Sequence, residues 1–202
     1  MTNNPLTHLK RDKTLALALK NFTFEKVKRE ENIALYLCLS IISQQLSTRV
    51  ARVICDRFLE LFTGEEPSCE RILQVEKSTL RSIGLSESKC NYIHNVCEFF
   101  AEQKLSDERL QDMSNEEVTE TLIQIKGVGN WTIQMLLMFA MAREDVFAPD
   151  DLGIQKAMTR LYKIEAPSSK ELKQQMQLIS EQWKPFRTYA CLALWSWKDE
   201  GN

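Results

Sequence analysis

Two short stretches of the sequence carry residue types that could do chemistry. In "FAPDDLGI" the paired carboxylates Asp150 and Asp151 stand nineteen and twenty positions after Trp131. In "LIQIKGVGNWT" two of only six glycines, Gly127 and Gly129, flank a single valine between helix-forming runs. An interior helical glycine costs about 0.5–1 kcal/mol relative to alanine, so this pair needs a reason. A helix, a tight Gly127-Val128-Gly129 turn and a second helix would leave backbone N–H groups and the positive end of a helix dipole facing outward. That arrangement binds phosphate, and Lys126, Gly127, Val128, Gly129 and Thr132 are its candidates. An isolated G-x-G is more often a plain turn between helices. Here an apolar residue before Lys126, a helix on each side and Trp131-Thr132 directly after favour the phosphate reading. Both aspartates fall at the start of a further helix, where a carboxylate caps the first turn. Capping alone would account for either of them.

The elements that must position these residues are helical. Apolar residues recur at three- and four-residue spacing, only five prolines interrupt them, and convincing strand alternation is absent. Helices are predicted at about 12–20, 31–42, 47–62, 69–75, 77–83, 87–102, 115–124, 130–141, 152–162, 169–181 and 185–198. In the helix at 47–62 the expected apolar face is Val50, Val53, Ile54, Phe58 and Leu61. Ser114 and Glu117 have the spacing of a capping box, and Pro185 is placed in the first turn of the last helix. The helix–hairpin–helix spans about 115–141. The helix opened by Trp131 carries the chain about 16 Å away, and the loop 142–150 is long enough to bring Asp151 back. The fold class is all-α. One domain of 1–202 is expected, with the N- and C-terminal helices as one subdomain and about 45–150 as the other, flanking a cleft.

A chain of 202 residues, 44% apolar, can build one sizeable core or two small ones. Its net charge of −2 argues against gripping nucleic acid by bulk charge and leaves a local basic surface open. Cys38, Cys55, Cys69, Cys90, Cys97 and Cys191 form no C-x-x-C pair, and several lie on apolar helix faces, where a thiol packs as a small hydrophobe. No apolar run reaches bilayer length, and the N-terminal stretch lacks the pattern of a signal peptide. A soluble intracellular protein without membrane association is expected.

The stretch from Leu122 through "FAPDDLGIQKAM" resembles the signature of the helix–hairpin–helix DNA glycosylases, specifically the DNA-3-methyladenine glycosylase II, alkylation-repair branch. "NIALYLCLSIISQQLSTRVARVI", "IGLSESKCNYI" and "WKPFRTYACLALWSW" resemble it too, so the likeness covers about residues 30–198. It implies hydrolysis of the N-glycosidic bond of alkylated purines such as 3-methyladenine and 7-methylguanine in duplex DNA, with Asp151 as the catalytic carboxylate. Such a negative charge suits an oxocarbenium-like sugar and an attacking water. By matching position, Trp131 and Trp195 are the indoles that hold the cationic base, by stacking and cation–π attraction, and Met135 is a further pocket residue. Trp183 and Trp197 are expected to pack. Gln45, with Leu46 as second choice, corresponds to the wedge that fills the gap left by the flipped base. The main-chain carbonyls of Ile123, Ile125 and Val128 correspond to a site for a monovalent cation, Na or K. Lys126, Arg49, Lys156, Lys184 and Arg187 are candidates for phosphate contacts.

Departures from the family pattern carry information as well. Related glycosylases that also cleave the backbone have a lysine nucleophile where this chain has Trp131, so a monofunctional hydrolase is implied. The four-cysteine iron–sulfur loop of the endonuclease III branch is missing, and no cofactor is required. A monomer is expected, in the cytoplasm with the nucleoid for a bacterial source and in the nucleus for a eukaryotic one. The competing reading is a helix–hairpin–helix module that only holds DNA, with Asp151 no more than a cap.

Overall fold

The computed structural model describes residues 4–64 and 66–201. In chain order the helices are α1 (Pro5–Leu9), α2 (Leu15–Ala18), α3 (Ile33–Ser43), α4 (Thr48–Glu60), α5 (Cys69–Leu73), α6 (Lys77–Ser82) and α7 (Glu87–Glu102). They continue with α8 (Asp107–Asp112), α9 (Asn115–Leu122), α10 (Asn130–Met135), α11 (Leu152–Tyr162), α12 (Ser169–Ser180) and α13 (Arg187–Asp199). A π-helical turn, Leu136–Ala140, follows α10, and a 3₁₀ turn, Glu181–Trp183, follows α12. No strand occurs among the described residues. The chain divides into two compact units, one of residues 29–136 and one of residues up to 28 and from 137 onward. The sequence suggested about 45–150 for the first of these. Packing draws α3 into it, because α3 is apolar nearly all round and buries Ile33, Leu37, Cys38, Ile41 and Ile42 against α4 and α7.

Within 29–136, α7 forms where expected. Ser86 caps its N-terminus by accepting the Lys89 N–H, and Ile93, Val96, Cys97 and Phe100 form a buried stripe at helical spacing. The helix α8 escaped sequence reasoning. Its Asp107 carboxylate accepts the N–H groups of Asn32 at 2.6 Å and Ile33 at 3.1 Å, so it caps α3 from 75 residues away. On α4 the buried face is Ala51, Ile54 and Phe58, whereas Val50 and Val53 are exposed, contrary to the predicted apolar face. All six cysteines are free thiols, and Cys38 and Cys97 meet at 4.0 Å between α3 and α7.

In the other unit the helix expected at 12–20 shortens to α2, preceded by the separate α1, and the turn between them holds Asp12. Its Oδ1 accepts the N–H groups of Thr14 and Leu15, while Oδ2 accepts the Tyr162 hydroxyl at 2.6 Å and the Trp183 indole N–H at 2.9 Å. Burial and the Asp12 carboxylate together push the Tyr162 hydroxyl above its ordinary range and keep it a donor. Trp183 is fully buried, in line with a packing role. Asp12→Ala would strand four donors in this corner, and a loss of about 3 kcal/mol or more is expected in urea unfolding. At the C-terminal end, Pro185 lies outside α13. It follows a cis peptide bond, and the helix starts only after Phe186.

Candidate functional site

The carboxylate corner is built from the loop 142–150, the start of α11 and one face of α13. Thr188, buried in the first turn of α13, anchors the loop: its hydroxyl donates to the Arg143 carbonyl at 2.6 Å and accepts the Val146 N–H at 3.1 Å. Arg187 grips Asp145 through Nε at 2.7 Å and Nη2 at 3.0 Å. This ion pair commits the guanidinium, which sequence reading had offered to a phosphate, to the loop instead. Lys184 likewise pairs with Glu181 at 2.7 Å. Gln155 donates to the Pro149 carbonyl at 2.7 Å and closes the turn into α11.

At the end of this loop the two aspartates part company. Asp150 is not a cap; it pairs with Lys173 of α12 at 2.5 Å. Asp151 is the N-cap of α11, and its Oδ1 accepts the Ile154 N–H at 2.9 Å and the Trp195 indole N–H at 2.8 Å. Trp195 therefore touches the carboxylate directly, through its edge, while its ring stacks on Phe139 with centroids 6.0 Å apart and planes at 28°. Sequence reading gave Trp195 a stacking role only and missed the hydrogen bond, because spacing does not reveal which edge of an indole is used.

Gly153 was missed too. A Cβ there would lie 2.9 Å from Asp151 Oδ1 and 3.0 Å from Trp195 Cδ1 and Nε1, so any other residue must push the pair apart. The available signal was a glycine in the first turn of a helix, two positions after the aspartate. If the indole N–H orients the carboxylate, Trp195→Phe keeps the ring and loses the bond. Urea unfolding should then show a loss of about 1.5–3 kcal/mol, the range for a hydrogen bond to a charged group.

The hairpin belongs to the unit 29–136. Gly127 has φ +108°, and a Cβ on it would lie 2.3 Å from Cγ of Tyr92, so both backbone and packing demand glycine. Asn95 of α7 donates to the Lys126 carbonyl at 3.0 Å and fixes the turn. Gly129 differs. Its backbone is extended at φ −112°, and nothing lies within 4 Å of the place a Cβ would occupy. Nothing inside the protein requires glycine there. Gly129 is also the N-cap of α10 and offers no side chain to its first turn. Lys126 is exposed and Val128 buried. Thr132 is 3% exposed and its hydroxyl accepts from Gln44 Nε2 at 3.3 Å. The predicted phosphate contact of Thr132 thus loses its side chain, which leaves the backbone N–H as the group that could serve.

In the same unit, Trp131 is 41% exposed and Met135 is buried, its carbonyl accepting the Tyr36 hydroxyl at 3.4 Å. Burial pushes the Tyr36 hydroxyl up to about 12. The turn after α3 presents Gln45 outward with φ +59°, while Leu46 is half-buried and Ser47 caps α4 by accepting the Val50 N–H. Of the two wedge candidates Gln45 is the exposed one. For the suggested cation, the Ile125 carbonyl accepts the Val128 N–H at 3.0 Å and keeps a second lone pair. Neutral carbonyl oxygens from Ile123, Ile125 and Val128 are a donor set suited to a hard monovalent ion.

The family model described as HhH-GPD superfamily base excision DNA repair protein matches residues 38–182. DNA-3-methyladenine glycosylase 1 of Schizosaccharomyces pombe is 34% identical over 163 residues, 79% of this chain and 69% of that protein. Among solved structures, a DNA-3-methyladenine glycosidase from Bacillus halodurans superposes with a TM-score of 0.83 at 31% identity, covering 96% of this chain and 89% of that one. The Schizosaccharomyces pombe 3-methyladenine DNA glycosylase in complex with abasic DNA gives a TM-score of 0.80 at 29% identity, covering 98% and 97%. The chain spans 58%, 69% and 64% of the lengths of three curated relatives, from Bacillus subtilis, Schizosaccharomyces pombe and Saccharomyces cerevisiae.

Proposed function

Because this chain belongs to the HhH-GPD superfamily of base-excision DNA repair proteins, we propose that it is a monofunctional DNA glycosylase that hydrolyses the N-glycosidic bond of alkylated purines in duplex DNA. The observation that carries the reading is the Asp151 carboxylate, held by two N–H donors on one oxygen and given room by Gly153. A helix cap needs only the Ile154 N–H. The second donor, an indole from 44 residues away, fixes the carboxylate beyond what capping requires.

In this reading the electron pair of the C1′–N bond leaves with the base. A base such as 3-methyladenine already carries positive charge, so it departs neutral and needs no strong general acid. Positive charge moves to the sugar, where the Asp151 carboxylate stabilises it. Water adds to C1′, its proton passes to the carboxylate or solvent, and the products are a free base and an abasic site. By the family resemblance, Trp131, Met135 and Trp195 are the residues proposed to contact the expelled base. Gln45 fills the vacated stack, and the backbone around Gly129 meets a phosphate. A monovalent cation held by the carbonyls of Ile123, Ile125 and Val128 would add positive charge at that hairpin. The relatives named for 3-methyladenine, and the abasic DNA bound by the Schizosaccharomyces pombe enzyme, support the choice of substrate.

The experiment is to incubate methylated genomic DNA with the protein and identify every free base released, with borohydride present in a parallel reaction. Release of 3-methyladenine or 7-methylguanine without a covalent adduct is expected. A trapped protein–DNA adduct would overturn the monofunctional assignment, and the absence of any released base would favour the non-catalytic DNA-holding module.

A further inference from the structure

The turn that carries Gln45 is an unusual one for its sequence. Gln44 has φ −53° and ψ 134°, Gln45 has φ +59°, and the Leu46 N–H donates to the Ser43 carbonyl at 3.3 Å. These values describe a type II β-turn over residues 43–46, whose third position favours glycine or asparagine. A glutamine there sits in left-handed backbone that a side-chain-bearing residue rarely adopts without outside support. Types I and II differ by a flip of the central peptide, here the one joining Gln44 to Gln45. Whatever holds the Gln44 carbonyl therefore decides which way Gln45 is presented.

Lys89 holds it. From the first turn of α7 its ammonium donates to the Gln44 carbonyl at 2.8 Å and to the Ile42 carbonyl at 2.7 Å. Ile42 lies in the last turn of α3, where carbonyls lack helical partners and a cation is favoured. Burial lowers the affinity of this amine for its proton, as expected for an ammonium withdrawn from water to serve the chain. A second tether acts on the same residue: the Gln44 side chain donates to the Thr132 hydroxyl of α10, the helix that follows the hairpin. The turn is thus gripped by its backbone from α7 and by its side chain from α10.

We propose that Lys89 is a positioning residue for base extrusion. By fixing the Gln44–Gln45 peptide in the type II orientation, its ammonium aims Gln45 into the duplex. This inference rests on the glycosylase reading above and on Gln45 as the wedge. Lys89→Met keeps the aliphatic stem and deletes the donors. The central peptide is then free to flip, and the wedge is mis-aimed while Asp151 chemistry is untouched.

The test uses a duplex oligonucleotide with one 7-methylguanine, either paired with cytosine or placed in a single-nucleotide bulge where the base is already unstacked. Single-turnover base release is measured for the parent, Lys89→Met and Lys89→Gln. The expected result is a loss of about tenfold or more for Lys89→Met on the paired lesion, with little loss on the bulged one. Lys89→Gln retains a donor for one carbonyl and shows the same split at smaller size, which carries the test should Lys89→Met fail to fold. A general structural defect would lower both substrates alike, and that outcome overturns the proposal, as does equal release of the paired lesion by parent and variants. A parent that releases no base from either substrate removes the glycosylase reading itself, a failure distinguishable from that of Lys89.

Discussion

Asp151→Asn is expected to slow release of 3-methyladenine from duplex DNA by about a hundred- to a thousandfold, the range for deleting one electrostatic stabiliser of a transition state. The substitution is unusually clean. Asparagine is as good an N-cap as aspartate, and its amide oxygen can accept the same two N–H groups, from Ile154 and from the Trp195 indole. The fold of α11 and the stack of Trp195 on Phe139 should survive. What disappears is the negative charge. Circular dichroism and affinity for an abasic duplex should therefore match the parent while base release collapses. Equal release by variant and parent would reduce Asp151 to a cap and leave the chemistry without an anion.

Gly127→Ala and Gly129→Ala should separate the two glycines of the hairpin. At Gly127 an alanine must accept φ +108° and place its Cβ 2.3 Å from the Tyr92 ring. Backbone strain and overpacking each cost about 1–3 kcal/mol, so urea unfolding should show a loss of about 2–6 kcal/mol with DNA binding impaired alongside. At Gly129 the backbone is extended and the space open. The gain from stiffening the unfolded chain, about 0.4–1 kcal/mol, is offset by the poorer alanine cap. Stability should stay near the parent's, yet under the proposed function duplex affinity should fall, because the methyl group would stand where the hairpin is proposed to meet a phosphate. If Gly129→Ala binds DNA as the parent does, the hairpin is not the phosphate site.

These glycines also mark how far the sequence is legible. Their spacing announced the hairpin, but their identical residue type concealed that packing and backbone demand glycine at 127, whereas 129 is an N-cap in open space. Helices α7 and α11 were readable to the residue, since their caps, Ser86 and Asp151, lie next to their own apolar stripes. Helix α8 was not, because Asp107 caps α3 from 75 residues away and contributes little periodicity of its own. The same limit applies at the site. The pair Asp150-Asp151 stood out through a local pattern, and the family resemblance chose Asp151. Its orientation by Trp195, the demand on Gly153 and the left-handed turn at Gln45 arise from contacts between distant segments. Arg187, one of the basic residues offered for phosphate contact, shows the converse: it pairs with Asp145 in the loop leading to Asp151, a partner that no local pattern announces.

The central claim, that a fixed carboxylate at residue 151 steadies a sugar cation, is most directly tested by binding rather than turnover. Duplexes carrying a cationic pyrrolidine or a neutral tetrahydrofuran in place of the damaged nucleotide differ by one charge at the sugar. The parent should bind the cationic duplex about a hundredfold tighter or more, and Asp151→Asn should erase that gap while binding the neutral duplex as before. A parent that does not distinguish the two, or an Asp151→Asn protein that still does, would contradict the account.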